Sequence, residues 1–175
     1  MEKSYKQYLA QISTLIFDVD GVLTNGMVTV MPDGQLVRQM NIKDGYALKT
    51  AVDCGLRICI ISGGKNEGVR TRLKNLGIQD IYLGAHDKIE QYHELSDMYG
   101  LQTENVLYMG DDIPDVPVMK LVGLPCCPND AAPEIQQISK YISNKNGGEG
   151  CVRDIIEQVL RVQGKWDGNF DAKYD

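Results

Sequence analysis

Asp18 and Asp20 stand two residues apart in Phe17-Asp18-Val19-Asp20-Gly21. On an extended strand that spacing sends both carboxylates to one side, with Val19 turned away. Gly21 then lets the backbone bend close to a ligand. Gly110-Asp111-Asp112 follows another apolar run in the same way. Three or four acids gathered there repel one another unless a cation joins them. Oxygen donors of this kind suit Mg²⁺, which keeps waters and accepts a substrate phosphate as a further ligand. Ser62 with Gly63-Gly64 offers a hydroxyl and backbone N–H groups before a helix, a cradle for phosphate. Lys88 could pair with a nucleophilic carboxylate and with a phosphate oxygen. Each group also has a plainer account: acids solvated at a strand end, an acidic helix cap, a Ser-Gly cap, a surface lysine. Their order favours the chemistry, because Asp-x-Asp, Ser, Lys and Gly-Asp-Asp each follow an expected strand.

Those expected strands set the fold class. Thr14–Val19, Arg57–Ile61, Asp80–Leu83 and Val106–Met109 are short apolar runs that read as buried strands. Shorter strand-like pieces fall at Val122–Leu124 and Tyr141–Ser143. Helical spacing marks Asp44–Asp53, about 67–76, Ile89–Tyr99, Pro114–Leu121 and Val152–Val162, several ended by glycine. Alternating strands and amphipathic helices predict an α/β fold, a single Rossmann-like three-layer domain with a mostly parallel sheet. Ligands in such sheets sit beyond the carboxyl ends of the strands, where the motifs fall. Met27–Val30 and Gln35–Met40 flank the turn Pro32-Asp33-Gly34 and predict a β-hairpin flap over about 26–41. The expected domain covers 1–164, leaving a C-terminal tail at 165–175.

The 175 residues suit one domain, and 43% hydrophobic with 24% charged residues is ordinary for a globular protein. No apolar run approaches the ~20 residues that span a bilayer, and the first residues lack a secretory-signal pattern, so no membrane partner is expected and the default location is cytoplasmic. Five cysteines without zinc spacing read as reduced thiols, although Cys151 near a glycine-rich stretch could be reactive. A net charge of −6 argues against a nucleic-acid partner. The same charge means that phosphate binding needs a metal and a few placed cations. His86 and His93 receive no role.

The ordered constellation matches the haloacid dehalogenase-type phosphatase superfamily over nearly the whole chain. Within it, DVDGVLTNG (18–26), the hairpin, NIKDGYALK (41–49), GDDIPDVPVM (110–119) and GGEGCVRDIIEQVLRVQGK (147–165) resemble the 3-deoxy-D-manno-octulosonate 8-phosphate phosphatase family, a small type with no cap domain. The resemblance implies a Mg²⁺-dependent hydrolysis of an acidic sugar phosphate in lipopolysaccharide sugar synthesis. In that reading Asp18 is the nucleophile, Asp20 the acid and base, and Ser62 and Lys88 hold phosphate oxygens. Mg²⁺ would be held by Asp18, the Asp20 backbone carbonyl and Asp111, with Asp112 acting through water. The resemblance further implies that Asp20, Asn41, Ile42, Lys43, Asp44, Gly45, Lys49, Gly64, Arg72 and Lys88 line the substrate path. It also implies a homotetramer with intersubunit active sites, with Gly147, Gly148, Gly150 and Arg153 as an intersubunit arm. The family carries Arg where this chain has Gly64; Lys65, Arg72 or Lys145 could take its place. Two alternatives stay open: the same reaction on 2-keto-3-deoxynononate or sialic acid 9-phosphate, and a phospho-receiver signalling domain, in which Asp20 would be idle.

Overall fold

The computed structural model describes residues 4–166. A six-stranded sheet is built from β1 (Thr14–Phe17), β4 (Arg57–Ser62), β5 (Asp80–Leu83), β6 (Val106–Met109), β7 (Leu124–Cys127) and β8 (Tyr141–Ile142). The strand order is β5-β4-β1-β6-β7-β8 and every pairing in it is parallel. Strands buried on both faces explain the continuous apolar runs. Period-two alternation divides them between two cores. Leu15, Phe17, Ile58, Ile60, Leu107 and Met109 pack with α2 (Ile42–Asp53), α3 (Glu67–Asn75) and α7 (Cys151–Val162). Ile16, Cys59, Ile61 and Tyr108 face α4 (Lys88–Tyr99), α5 (Val116–Met119) and α6 (Pro133–Ile138) on the other side. The result is the three-layer α/β architecture expected, and no cap domain is present among the described residues. No described helix is long and apolar enough to cross a membrane.

From β1 the chain runs outward through β4 and β5, then returns to the other side of β1 as β6. This reversal opens a crevice at the carboxyl ends of β1, β4 and β6. The register aligns Phe17 with both Ile60 and Met109, so Asp18 and Gly110 emerge at one level and Ser62 one residue beyond it.

The hairpin is slighter than expected. Its strands β2 (Thr29–Val30) and β3 (Leu36–Val37) have two residues each, turned at Gly34 with φ +84°. Their apolar side chains face outward, so little packing extends the pairing; Val30, Leu36 and Val37 are exposed. A short first helix, α1 (Lys6–Leu9), and α6 were not expected from the sequence. Strand β7 begins two residues later than the sequence suggests and runs through Pro125, a residue that usually demotes a strand. The segment expected as one helix over 114–121 is a 3₁₀ turn, Ile113–Asp115, leading into α5. Most of the expected tail lies outside the described residues. Its first two, Lys165 and Trp166, turn back so that both N–H groups donate to the Leu160 carbonyl.

Helices α2 and α7 are joined by a buried carboxylate. Asp44, in the first turn of α2, is 1% exposed and accepts the Arg153 N–H at 2.7 Å. It thereby caps α7, whose own N-cap Gly150 has no side chain to do so. Burial raises the Asp44 carboxyl to about 6, against the opposing Arg153 and Gly150 N–H groups. The folded state therefore binds this proton more tightly than the unfolded chain does. The stability it gives is complete below about pH 4 and is lost as pH rises through about 6, a loss of about 2–3 kcal/mol. Asp44→Asn keeps the acceptor and removes the ionisation. Relative to wild type, its urea-unfolding stability should rise by that amount between pH 4 and 7.5; a constant difference would refute the assignment.

Candidate active site

The turn after β1 is shaped by glycines. Gly21 has φ +86°, and a Cβ there would fall 1.9 Å from Asp111 Oδ2. Only glycine lets the two acidic loops approach so closely. Gly147 and Gly148 brace the same turn: a Cβ on Gly147 would strike the Gly21 carbonyl at 2.0 Å, and the Gly148 N–H donates to the Val22 carbonyl at 2.9 Å. Thr24 Oγ1 accepts the N–H groups of Gly21 and Gly26.

Within this frame Asp18 is 6% and Lys88 5% exposed. Lys88 Nζ lies 2.9 Å from Asp18 Oδ2 and 2.6 Å from Asp115 Oδ1. Asp18 Oδ1 accepts the Val19 N–H at 2.6 Å. Asp115, fully buried, also accepts the Tyr108 hydroxyl at 2.6 Å and the N–H groups of Asp111 and Asp112 at 2.9 and 3.3 Å. Burial first, and then the Asp115 charge, raise the Asp18 carboxyl above its ordinary range, while Lys88 opposes them. Asp111 is pushed up to about 8 by burial and by the charges of Asp18 and Asp115. Burial pulls the Lys88 ammonium down, but Asp18 and Asp115 outweigh it and hold it raised. One lysine is thus shared by a crowd of acids too large for it to neutralise.

That excess of negative charge is what a divalent cation answers. Oxygens of Asp18, Asp111 and Asp115 lie within 4.8 Å of one another. Asp115 already receives four donors, so its role is to position Lys88 and the 111–112 backbone. Asp18 and Asp111 are the side chains left to hold Mg²⁺, and their hard oxygen donors fit it. Asp112 is exposed at the cleft rim and accepts the Ile113 N–H at 2.8 Å, capping the turn. It does not join the converging cluster.

The cleft above these groups is lined by Asp18, Asp20, Ser62, Gly64, Lys88 and Asp111 among others. Ser62 is 1% exposed and accepts the Gly64 N–H at 3.3 Å. Asp20 faces the cleft but is bound by Arg38 of the flap, Nε to Oδ1 at 2.6 Å and Nη2 to Oδ2 at 2.9 Å. His86, given no role from sequence, also lines it.

The expected substrate path divides. Arg72 lines a second cleft with Arg38, its Nη2 only 2.6 Å from the position a Cβ on Gly45 would take. Asn41 and Lys43 line a third cleft with Arg153, because the start of α2 packs against α7 and away from the strand ends. Ile42 is 74% exposed, Asp44 is buried under α7, and Lys49 pairs with Asp53 along the helix at 2.6 Å. Within one chain, then, residues 41–45 and Lys49 do not line the catalytic cleft. Of the residues expected in the arm, Gly147 and Gly148 pack within the chain on the Asp18 turn, Gly150 (φ +105°) starts α7, and the Arg153 side chain pairs with Glu157 at 2.5 Å. Cys151 is fully buried, and burial pushes its thiol up, so it is not a reactive nucleophile. All five cysteines are free thiols.

Sequence reasoning missed Asp115, Tyr108 and Arg38. Asp115 had a signal, an acid four residues after Asp111, but it reads equally as a capping acid. Tyr108 looks like any strand aromatic. Arg38 had none, since its partner lies 18 residues away and only the flap's fold joins them.

A haloacid dehalogenase-like hydrolase family model matches residues 78–155. The chain is 36% identical to the 3-deoxy-D-manno-octulosonate 8-phosphate phosphatase of Yersinia pestis over 162 residues, 93% of this chain and 87% of that one. The crystal structure of the Yersinia pestis phosphatase superposes with a TM-score of 0.92 at 34% identity, covering 96% of this chain and 91% of that one. The Moraxella catarrhalis phosphatase, solved with a magnesium ion, a phosphate ion and 3-deoxy-D-manno-octulosonate (KDO), gives 0.90 at 29% identity, covering 95% of each chain.

A metal that displaces the Asp111 proton binds more tightly as pH rises. Titration calorimetry should give a Mg²⁺ affinity that climbs about tenfold per pH unit up to about pH 8 and then levels off. In Asp111→Asn the affinity should be weaker and its slope shallower. A flat wild-type profile would remove Asp111 from the ligand set.

Proposed function

Because this chain belongs to the 3-deoxy-D-manno-octulosonate 8-phosphate phosphatase family of haloacid dehalogenase-like hydrolases, we propose that it removes phosphate from 3-deoxy-D-manno-octulosonate 8-phosphate through an aspartyl-phosphate, in the synthesis of lipopolysaccharide sugar. The observation that carries the mechanism is the buried Lys88 ammonium held between Asp18 and Asp115. It favours the ionised, nucleophilic form of a carboxylate that burial alone would protonate.

Asp18 attacks phosphorus, forming an O–P bond as the bond from phosphorus to the sugar oxygen breaks. Asp20 gives the leaving oxygen its proton. A water then attacks the phosphorus of the aspartyl-phosphate, Asp20 takes that water's proton, and inorganic phosphate leaves with Asp18 restored. Lys88, Ser62 and the Gly63–Gly64 backbone bind the oxygens that are not transferred. Mg²⁺, held by Asp18, the Asp20 carbonyl and Asp111, supplies charge neutralisation for the phosphate. Asp115 and Tyr108 position Lys88.

The working unit is a homotetramer whose flaps and helix starts meet neighbouring subunits. Met27, Val30, Leu36, Val37 and Ile42 support this, for they leave an apolar surface exposed on and beside the flap. Of the residues expected to line the path, the accessible Asn41, Ile42 and Lys43 would then serve that of an adjoining subunit. A cytoplasmic location accords with five free thiols.

Phosphate release should be measured over eight- and nine-carbon sugar-acid phosphates. Turnover is expected to be fastest on the octulosonate ester. It should fall about 10²- to 10⁴-fold in Asp20→Asn and vanish in Asp18→Asn, and chelation of Mg²⁺ should stop it. Undiminished turnover in Asp18→Asn would overturn the mechanism, and preference for a nine-carbon ester would reassign the substrate.

A further inference from the structure

The flap carries a guanidinium up to Asp20, a residue that lines the catalytic cleft. Arg38 follows β3, its side chain is 7% exposed, and it grips both oxygens of Asp20. Its Nη1 donates to the Leu36 carbonyl at 3.0 Å, and Asn66 Nδ2 donates to the same carbonyl at 2.9 Å, tying the flap to the start of α3. Beneath the guanidinium lies Gly64. A Cβ built there would stand 3.1 Å from Arg38 Nη2 and 3.2 Å from Asp20 Oδ2, tighter than an ordinary contact. The missing side chain at 64 is therefore what gives the flap arginine its place.

Arg38 also forms a wall of the second cleft, between flap and α3, with Val37, Met40, Val69 and Arg72. That cleft has two arginines and no acid among its lining residues. It adjoins the acid-rich catalytic cleft, which Asp20 and Gly64 line. In a chain of net charge −6, a cationic cleft beside the catalytic acids is a place for a second anionic group on the substrate.

We propose that Arg38 determines specificity by exchanging the Asp20 carboxylate for the carboxylate of the sugar acid, in a subsite completed by Arg72. With one contact from Arg38 on each Asp20 oxygen, the guanidinium competes with the sugar oxygen for Asp20, and releasing one of those contacts frees the carboxyl for the leaving group. A substrate with its own carboxylate offers the guanidinium fork an equivalent two-oxygen acceptor, so the arginine moves without losing its partners. A phosphate ester with no second anion offers nothing in exchange. Selectivity for acidic sugar phosphates then comes from the flap as well as from α3. The inference rests on the phosphatase reading above.

The test compares kcat and KM for 3-deoxy-D-manno-octulosonate 8-phosphate and for p-nitrophenyl phosphate, which has no carboxylate. In Arg38→Gln the ratio of kcat/KM between the two substrates should fall about 10- to 100-fold, mainly through a raised KM for the sugar acid. Arg38→Lys should recover part of the ratio. The double variant Arg38→Gln/Gly64→Arg should recover more, since a guanidinium extended from position 64 enters the space Arg38 vacates. An unchanged ratio would overturn the proposal, as would a loss shared equally by both substrates. A wild-type enzyme that hydrolyses p-nitrophenyl phosphate but no sugar-acid phosphate would overturn the substrate assignment, and this proposal with it.

Discussion

A lysine with almost no contact with water, set between two carboxylates, is the interaction on which the rest of the site depends. Alone, a buried ammonium is unfavourable, and so is each buried acid. Together they are tolerable only because Asp115 is fully satisfied by Lys88, Tyr108 and two backbone N–H groups, while Asp18 keeps Lys88 and the Val19 N–H. The network holds the nucleophile and its counter-ion in fixed places. It still leaves Asp111 raised in pKa by burial and by the charges of Asp18 and Asp115, so the protein part of the site is electrostatically incomplete without a cation.

Close approach of backbones is the second constraint, and glycine meets it. The 110–112 loop can face the 18–21 turn because Gly21 clears Asp111 and Gly110 clears the Asp115 side chain, each where a Cβ would overlap a carboxylate. Gly147 and Gly148 then close the turn from behind, and Asp44 anchors the helix that follows them. The glycine-rich stretch before α7 is thus part of the catalytic frame of its own subunit.

The flap joins frame to selectivity. Its strands are too short to stand as an independent sheet, and Met27, Val30, Leu36 and Val37 are exposed. What fixes it is polar: Arg38 on Asp20 and Asn66 on the Leu36 carbonyl. An element held mainly by an ion pair with a catalytic residue is well suited to respond when a substrate competes for that pair.

The sequence by itself determined the layered α/β class, the strands carrying Asp18, Ser62 and Asp111, and the glycine turns. Those features rest on local periodicity and on residue types whose backbone or charge requirements are unmistakable. The path through Pro125 in β7, the split of 113–119 into a turn and a short helix, and α6 escaped because proline and short length blur a periodic signal. Tertiary structure alone decided which polar residues meet. The 3.6-residue repeat of α2 does not say that Asp44 will cap α7, and nothing in the spacing of 38 and 20 brings that arginine to that acid. Nor does the chain reveal that Asp115 is the buried partner of Lys88, since an acid near a helix start caps more often than it pairs. Such contacts depend on which faces are brought together when the two apolar cores are buried, and that is settled by the packing of the whole sheet and its helices.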